Sequence, residues 1–183
     1  KKEFKWLEQN WFNDPAYLKL KGKPVLLIFG PQHFKKIQWS QITSNLSTQP
    51  LLYTLPHLTN QAKGSGAFGW PPVDGGKNVP PADRQKYLRE LYSKGAKGES
   101  IIAPVFPKFH DIYHQAGVHQ SYGYLDDQSG KTFDQTLELA WQSNSGLIQI
   151  ATWNDYGEGT IIEPTNEFAY RYLESLQRKF AAN

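Results

Sequence analysis

The chain has 183 residues, 39% of them hydrophobic, which is enough to bury a core and falls within the usual range for one domain. Its 20 basic and 17 acidic residues give a formal charge of +3, but they are scattered and do not form the basic stripe of a nucleic-acid surface, so nucleic acid is excluded as an expected partner. Cysteine is absent, which rules out a disulfide framework, a thiolate nucleophile and cysteine-ligated zinc, and no apolar run is long enough for a membrane span.

In chain order, Phe4 to Phe12 reads as the end of a helix, broken at Asn13-Asp14-Pro15. Leu20 to Pro24 is then a turn into a strand. Five short apolar runs follow as strands: Val25 to Phe29, Leu51 to Leu55, Ala67 to Trp70, Ile101 to Phe106 and Leu147 to Trp153. Most lack in-out alternation, as expected of parallel strands covered by helices. Asn60 to Gly66 and Pro71 to Pro80, rich in Gly, Pro and Lys, are expected as loops after strands.

Three further helices are predicted. Ala82 to Lys94 follows Pro80-Pro81, carries Tyr87, Leu88 and Leu91 on one side, and is stopped by Gly95. Thr132 to Ser143 opens on a capping-box pattern of Thr132 with Gln135, and Phe133, Leu137 and Trp141 share a face. The last helix opens after Pro164-Thr165, with Phe168, Tyr172, Leu176 and Phe180 at four-residue steps.

Strand and helix in alternation predict an α/β fold with a parallel sheet. The short connection into the Ala67 strand points to the later strands of a (β/α)8 barrel of TIM type, of which this chain supplies about the last five. The whole of residues 1–183 is then the C-terminal portion of one barrel domain, and the missing N-terminal part of that barrel is its natural partner. The chain begins with Lys1-Lys2 and contains no Met, so an export signal is expected to lie outside it.

The chemistry concentrates in Trp153-Asn154-Asp155-Tyr156-Gly157-Glu158-Gly159-Thr160, where an apolar strand runs into two acids and two glycines. Asp155 and Glu158 stand three residues apart on a turn that the glycines can bend, so both carboxylates can face one pocket. Glycoside cleavage needs such a pair: one acid protonates the leaving oxygen while the other supplies base or nucleophilic help. Charge repulsion raises one pKa, and a flanking Trp153 or Tyr156 raises it further by excluding water. In the plain structural alternative, Asp155 caps a turn, Glu158 pairs with a Lys or Arg, and Asn154 satisfies backbone groups. Glu163, before Pro164, has helix initiation as its structural role.

The run WNDYGEGTIIEPT resembles the last-strand signature of glycoside hydrolase families 71 and 99, whose shared pattern is Trp-Asn-acid-aromatic-x-Glu. Fainter likeness runs through Tyr17-Leu18-Lys19, Gly22 to Val25, Phe68-Gly69-Trp70 and Ile102 to Phe106. The resemblance implies a (β/α)8 barrel and endo-acting hydrolysis of an α-mannan or α-glucan, without a cofactor, by a secreted or periplasmic protein. By matching position it implies that Glu158 is the general acid. Asp155 stands where family 99 usually has a Glu that assists the 2-hydroxyl of the sugar. The Asp is one methylene shorter, a retreat of about 1.5 Å. Asp-aromatic-Gly-Glu is closer to family 71, whereas Gly159-Thr160 and Glu163-Pro164 are closer to family 99.

Trp153, Asn154, Tyr156, Trp70, His110 and Glu163 are the candidate sugar-binding residues, since an aromatic face packs against a pyranose and the polar groups can bond its hydroxyls. For Trp70 and His110, core packing and a surface histidine are the structural alternatives. His33, His57, His110 and Asp111 suggest a metal site without the ligand spacing of a zinc motif, and no metal is expected. Gly64-Ser65-Gly66 and Gly75-Gly76-Lys77 do not follow the order of a phosphate loop, and no Gly-x-Ser-x-Gly elbow exists. A non-catalytic carbohydrate-binding or scaffold protein with a degenerate barrel is the competing function.

Overall fold

The computed structural model describes residues 2–31 and 39–181. His33 lies outside them. The chain divides into two compact units, Lys1–Phe68 and Gly69–Asn183.

The first unit opens with helix α1 (Lys2–Leu7), which continues as a single π-helical turn, Glu8–Phe12. The predicted break is closed by Asp14, whose Oδ1 accepts the Ala16 N–H at 2.8 Å. Strands β1 (Lys19–Leu20) and β2 (Lys23–Ile28) pair antiparallel across Lys21 and Gly22, both with positive φ, as a tight hairpin turn requires. The expected turn is thus a hairpin. Beyond short helix α2 (Trp39–Thr43), β2 pairs in parallel with β3 (Leu51–Thr54). Helix α3 (Thr59–Ala62) then leads into β4 (Gly66–Phe68), parallel to β3. Trp39, Ile42, Leu52 and Ala62 form this unit's core, with Phe4, Leu26 and Ile28 packed against it. Full burial of a Leu or Ile side chain in this core contributes about 1.5–3 kcal/mol.

The second unit contains β5 (Lys77–Asn78), α4 (Pro81–Ala96), β6 (Ser100–Val105), β7 (Phe109–His110), β8 (Gly123–Leu125), α5 (Lys131–Gln142), β9 (Ile148–Ile150) and α6 (Arg171–Ala181). β6 and β9 pair in parallel, with Val105 opposite Ile150. Phe133, Leu137 and Ala140 of α5 cover this pair, with Ile161, Ile162, Phe168 and Tyr172 in the same cluster. A separate small sheet, in the order β5-β8-β7, rests on Leu88, Phe106, Phe109 and Leu125. The parallel pairs and the helices that join them make the chain α/β.

Several boundaries depart from the sequence expectations. The third predicted strand ends at Phe68, leaving Trp70 beyond it: a Cβ at Gly69 would lie 2.4 Å from Pro104 Cγ, so the backbone there is pressed against the β6 side chains. The last strand ends at Ile150, although the Ala151 N–H still reaches the Val105 carbonyl at 2.8 Å, and Trp153 lies on the loop beyond. The Pro71 to Pro80 segment is not all loop, since it contains β5.

The capping box does not form. Gly130, at φ +89°, takes the cap position, and Gln135 turns instead to Arg84, accepting from its guanidinium at 2.5 Å. Arg84 is 1% exposed and also donates to Thr132 at 3.1 Å, so a buried charge takes the Gln that would otherwise close the box. The last helix starts at Arg171 rather than after Thr165. Residues 165–169 form a tight bridge in which Thr165 Oγ1 accepts the N–H groups of Glu167 and Phe168. Glu163 therefore does not start a helix.

Candidate active site

The acid turn grows directly from β9. After the cis Ala151–Thr152 bond, the loop is closed at its base by Thr152 and Thr160. Thr152 N–H donates to the Thr160 carbonyl at 2.8 Å, and their hydroxyls meet at 2.9 Å. Thr152 Oγ1 then accepts the Asp155 N–H at 3.0 Å, and Asp155 Oδ1 accepts the Glu158 N–H at 3.0 Å. Each polar side chain thus satisfies a backbone donor three residues on, which is how Asp and Thr stabilise turns. The structural alternative for Asp155, turn capping, is realised in this geometry.

The turn is anchored to the end of β7 and the residues just after it. The N–H groups of His110 and Ile112 donate to the carbonyls of Glu158 (2.8 Å) and Gly157 (3.0 Å). Gly159, at φ +66°, allows this close approach, because a Cβ there would lie 3.0 Å from the His110 carbonyl. The side chain of Glu158 is half-buried. Its Oε1 accepts the Tyr113 hydroxyl at 3.1 Å, and its Oε2 is buried without a well-formed hydrogen bond. No Lys or Arg pairs with Glu158 among the described residues.

These surroundings raise the Glu158 pKa. Burial is the largest cause and the neighbouring Asp155 charge the second, with a smaller push from Asp111. Tyr113 and the Trp70 indole oppose this by favouring the ionised carboxylate. The same contact works on Tyr113, whose hydroxyl is pushed up to about 12 by burial and then by the Glu158 charge. Tyr113 is held in turn by His119 and Tyr122, whose ring centroids lie 4.4 and 5.5 Å away.

Of the residues expected from the sequence, the structure brings Glu158, Asp155 and Trp70 together. Trp153 and Tyr156 stay 50% and 56% exposed, so they do not supply the expected water exclusion. Tyr156 directs its hydroxyl away, donating to Glu163 Oε2 at 2.8 Å. Asn154 is exposed, and its carbonyl accepts the Tyr156 N–H. His110 is bonded to the turn through its backbone N–H, while its ring stands edge-on to Tyr124 at 5.1 Å. The sequence sets Asp111 and Tyr113 beside His110 after the fourth strand, on the edge expected to bond a sugar hydroxyl or tune an acid; the structure gives the side-chain contact with Glu158 to Tyr113 rather than to His110. Among the described residues no group of three or more His, Cys, Asp or Glu side chains is placed to hold a metal ion.

An α/β chain whose last parallel strand leads into an acid pair is glycoside-hydrolase-like, and its likeness to known proteins runs the same way. A mutanase of Penicillium rubens is 27% identical over 161 residues, 82% of this chain. The structure of the GH99 endo-α-mannosidase from Bacteroides thetaiotaomicron superposes on all of this chain with a TM-score of 0.71 at 18% identity, and its complex with bis-tris-propane gives 0.70 at 17%. A glycoside hydrolase-like protein superposes over 98% of the chain with a TM-score of 0.64. The chain spans 33% of the mutanase's length and 62–66% of the two mannosidase chains. No family model matches it. Among the described residues no helix is long and apolar enough to cross a membrane.

Proposed function

We propose that the chain is the C-terminal portion of a single (β/α)8 barrel, supplying about its last five strands, in a secreted or periplasmic glycoside hydrolase. The enzyme acts within α-linked chains, α-mannan or α-glucan, and uses no cofactor. Glu158 is the acid: its proton passes to the glycosidic oxygen as the C–O bond breaks through an oxocarbenium-like state. Asp155 is the base or assisting carboxylate, and its negative charge helps Glu158 keep its proton until transfer. Trp70, Trp153, Asn154, Tyr156, His110 and Glu163 supply sugar contacts.

The observation that carries this reading is the environment of Glu158, which is half-buried, bears a raised pKa, is held at one oxygen by Tyr113, and has no basic partner among the described residues. Carboxyl groups perturbed by burial together with a specific charged neighbour cluster at functional sites. In the complete gene product, Glu158→Gln should lower reducing-end release from α-mannans and α-glucans by about 10²–10⁴-fold while the fold survives. Wild-type turnover in that variant overturns the assignment.

The capping bond of Asp155 favours the second reading, a non-catalytic carbohydrate binder in which the acids only shape a turn. Binding of the same glycans by the parent protein without any release of reducing ends establishes that reading instead.

A further inference from the structure

The same unit holds a concavity beside the acid turn, of whose lining the proposed reaction uses only His110. It has a volume of about 380 Å³ and lies between the Gly76 turn, the 110–121 segment and β8. This is at the small end of the about 300–1,000 Å³ typical of ligand sites. Asp111 lines it and is 4% exposed. Its Oδ2 accepts the Tyr122 N–H at 2.7 Å, while Oδ1 is buried with no hydrogen-bond partner. A buried carboxylate oxygen without a donor is costly to keep, and such costs recur where a ligand completes the bond.

The rest of the wall narrows the choice of ligand. Gln115 and Gln120 offer uncharged donors and acceptors, His110 and His114 add ring nitrogens, and Tyr124 adds an aromatic ring edge-on to His110, while the Ser121 hydroxyl is already bonded to Gly123. A phosphate or carboxylate ligand would be repelled by Asp111. A metal ion lacks a ligand set, since no suitable group of three side chains exists among the described residues. A neutral polyhydroxylated ring fits both the hydroxyl-seeking oxygen and the mixed polar and aromatic wall.

The cavity is also tied to the acid turn. Its wall residue His110 donates its N–H to the Glu158 carbonyl, and Tyr113, which holds the Glu158 carboxylate, packs on Tyr122, whose N–H is bound by Asp111. We propose that this cavity is a sugar subsite flanking the cleavage point, in which Asp111 Oδ1 accepts a hydroxyl of the substrate residue seated there. The assignment rests on the glycoside-hydrolase reading of Glu158 and adds a residue that selects substrate length and hydroxyl pattern.

The test is calorimetric binding of a length ladder of α-linked manno- and gluco-oligosaccharides to the complete gene product. The inactive Glu158→Gln variant is compared with its doubles carrying Asp111→Asn or Gln115→Trp. Glu158→Gln should gain affinity stepwise with chain length. Asp111→Asn, which replaces the accepting oxygen with a donor, should remove one step, about tenfold or more. Gln115→Trp should reduce the same step by filling the cavity from the exposed loop, and it decides the matter if Asp111→Asn fails to fold. Identical steps in Glu158→Gln and the folded doubles overturn the subsite while leaving the hydrolase reading intact. No binding at any length by Glu158→Gln, together with no cleavage by the parent, overturns both.

Discussion

The Asp155 carboxylate has two separable jobs, and a pair of substitutions tells them apart. Its Oδ1 accepts the Glu158 N–H at 3.0 Å, and its charge is the second cause, after burial, of the raised Glu158 pKa. Asp155→Asn keeps an oxygen for the N–H but removes the charge, whereas Asp155→Ala removes both. A hydrogen bond to a charged group contributes about 1.5–3 kcal/mol when buried, and Asp155 is only partly buried, so about 1 kcal/mol is the fair magnitude here. Asp155→Ala should therefore be less stable than Asp155→Asn by about 0.5–2 kcal/mol in urea unfolding, the usual cost of a lost side-chain cap. Both variants should lower the Glu158 pKa, because the repelling charge is gone. An acid catalyst works below its pKa and fails above it, so the basic limb of kcat/KM against pH should move to lower pH in both. Equal stability of the two variants refutes the capping role. A basic limb that stays in place or moves upward refutes the electrostatic one.

Tyr113→Phe should do the opposite to the pH profile. It deletes a 3.1 Å hydrogen bond that favours ionised Glu158, so the basic limb should move to higher pH, and a downward shift in kcat/KM profiles would contradict the contact. Glu158→Gln should also stabilise the fold at neutral pH. A carboxyl whose folded pKa is raised above its ordinary 4.5 contributes stability that is fully present below 4.5 and lost as pH rises through the folded value. Ionised Glu158 thus destabilises the native state, and the amide should raise the urea midpoint near neutral pH, with the gain vanishing in acid. An unchanged or lower midpoint at neutral pH counts against the burial described for this group.

Much of the framework was legible because continuous apolar runs and four-residue steps are local signals. The runs at Val25, Leu51, Ala67, Ile101 and Leu147 correspond to β2, β3, β4, β6 and β9, and α4 and α5 fall within a few residues of the expected helices. The ends were less legible because tertiary contacts set them. Gly69 is squeezed against Pro104 and Leu91, and the chain after Ala151 is taken up by Thr160. The β5-β8-β7 sheet carried no readable pattern: Lys77 and Asn78 are both exposed, β5 and β7 have two residues each and cannot show alternation, and the alternation of β8 spans only three. Its trace in the sequence is Gly123, where a Cβ would fall 2.5 Å from the Lys77 carbonyl, and a lone Gly cannot be told from an ordinary turn residue without the partner strand in view.

The acid pair was visible for the same local reason, and its partners were hidden for the opposite one. Asp155 and Glu158 share one turn, whereas Tyr113 meets Glu158 from 45 residues away. The structure also gives a physical account of why position 155 carries the shorter acid. An Asp oxygen reaches the N–H three residues on through one methylene, which closes the Asp155 to Glu158 ring at 3.0 Å, while the extra methylene of Glu makes that local closure less favourable. The shorter side chain exchanges reach for a fixed turn. That fixes the backbone of Glu158 from both sides, through its N–H to Asp155 and its carbonyl to His110. Under the proposed mechanism, precision at the acid and reach at its partner are thus opposed at one residue, and the sugar would have to bring its 2-hydroxyl closer to Asp155, or meet it through a water, for that carboxylate to assist.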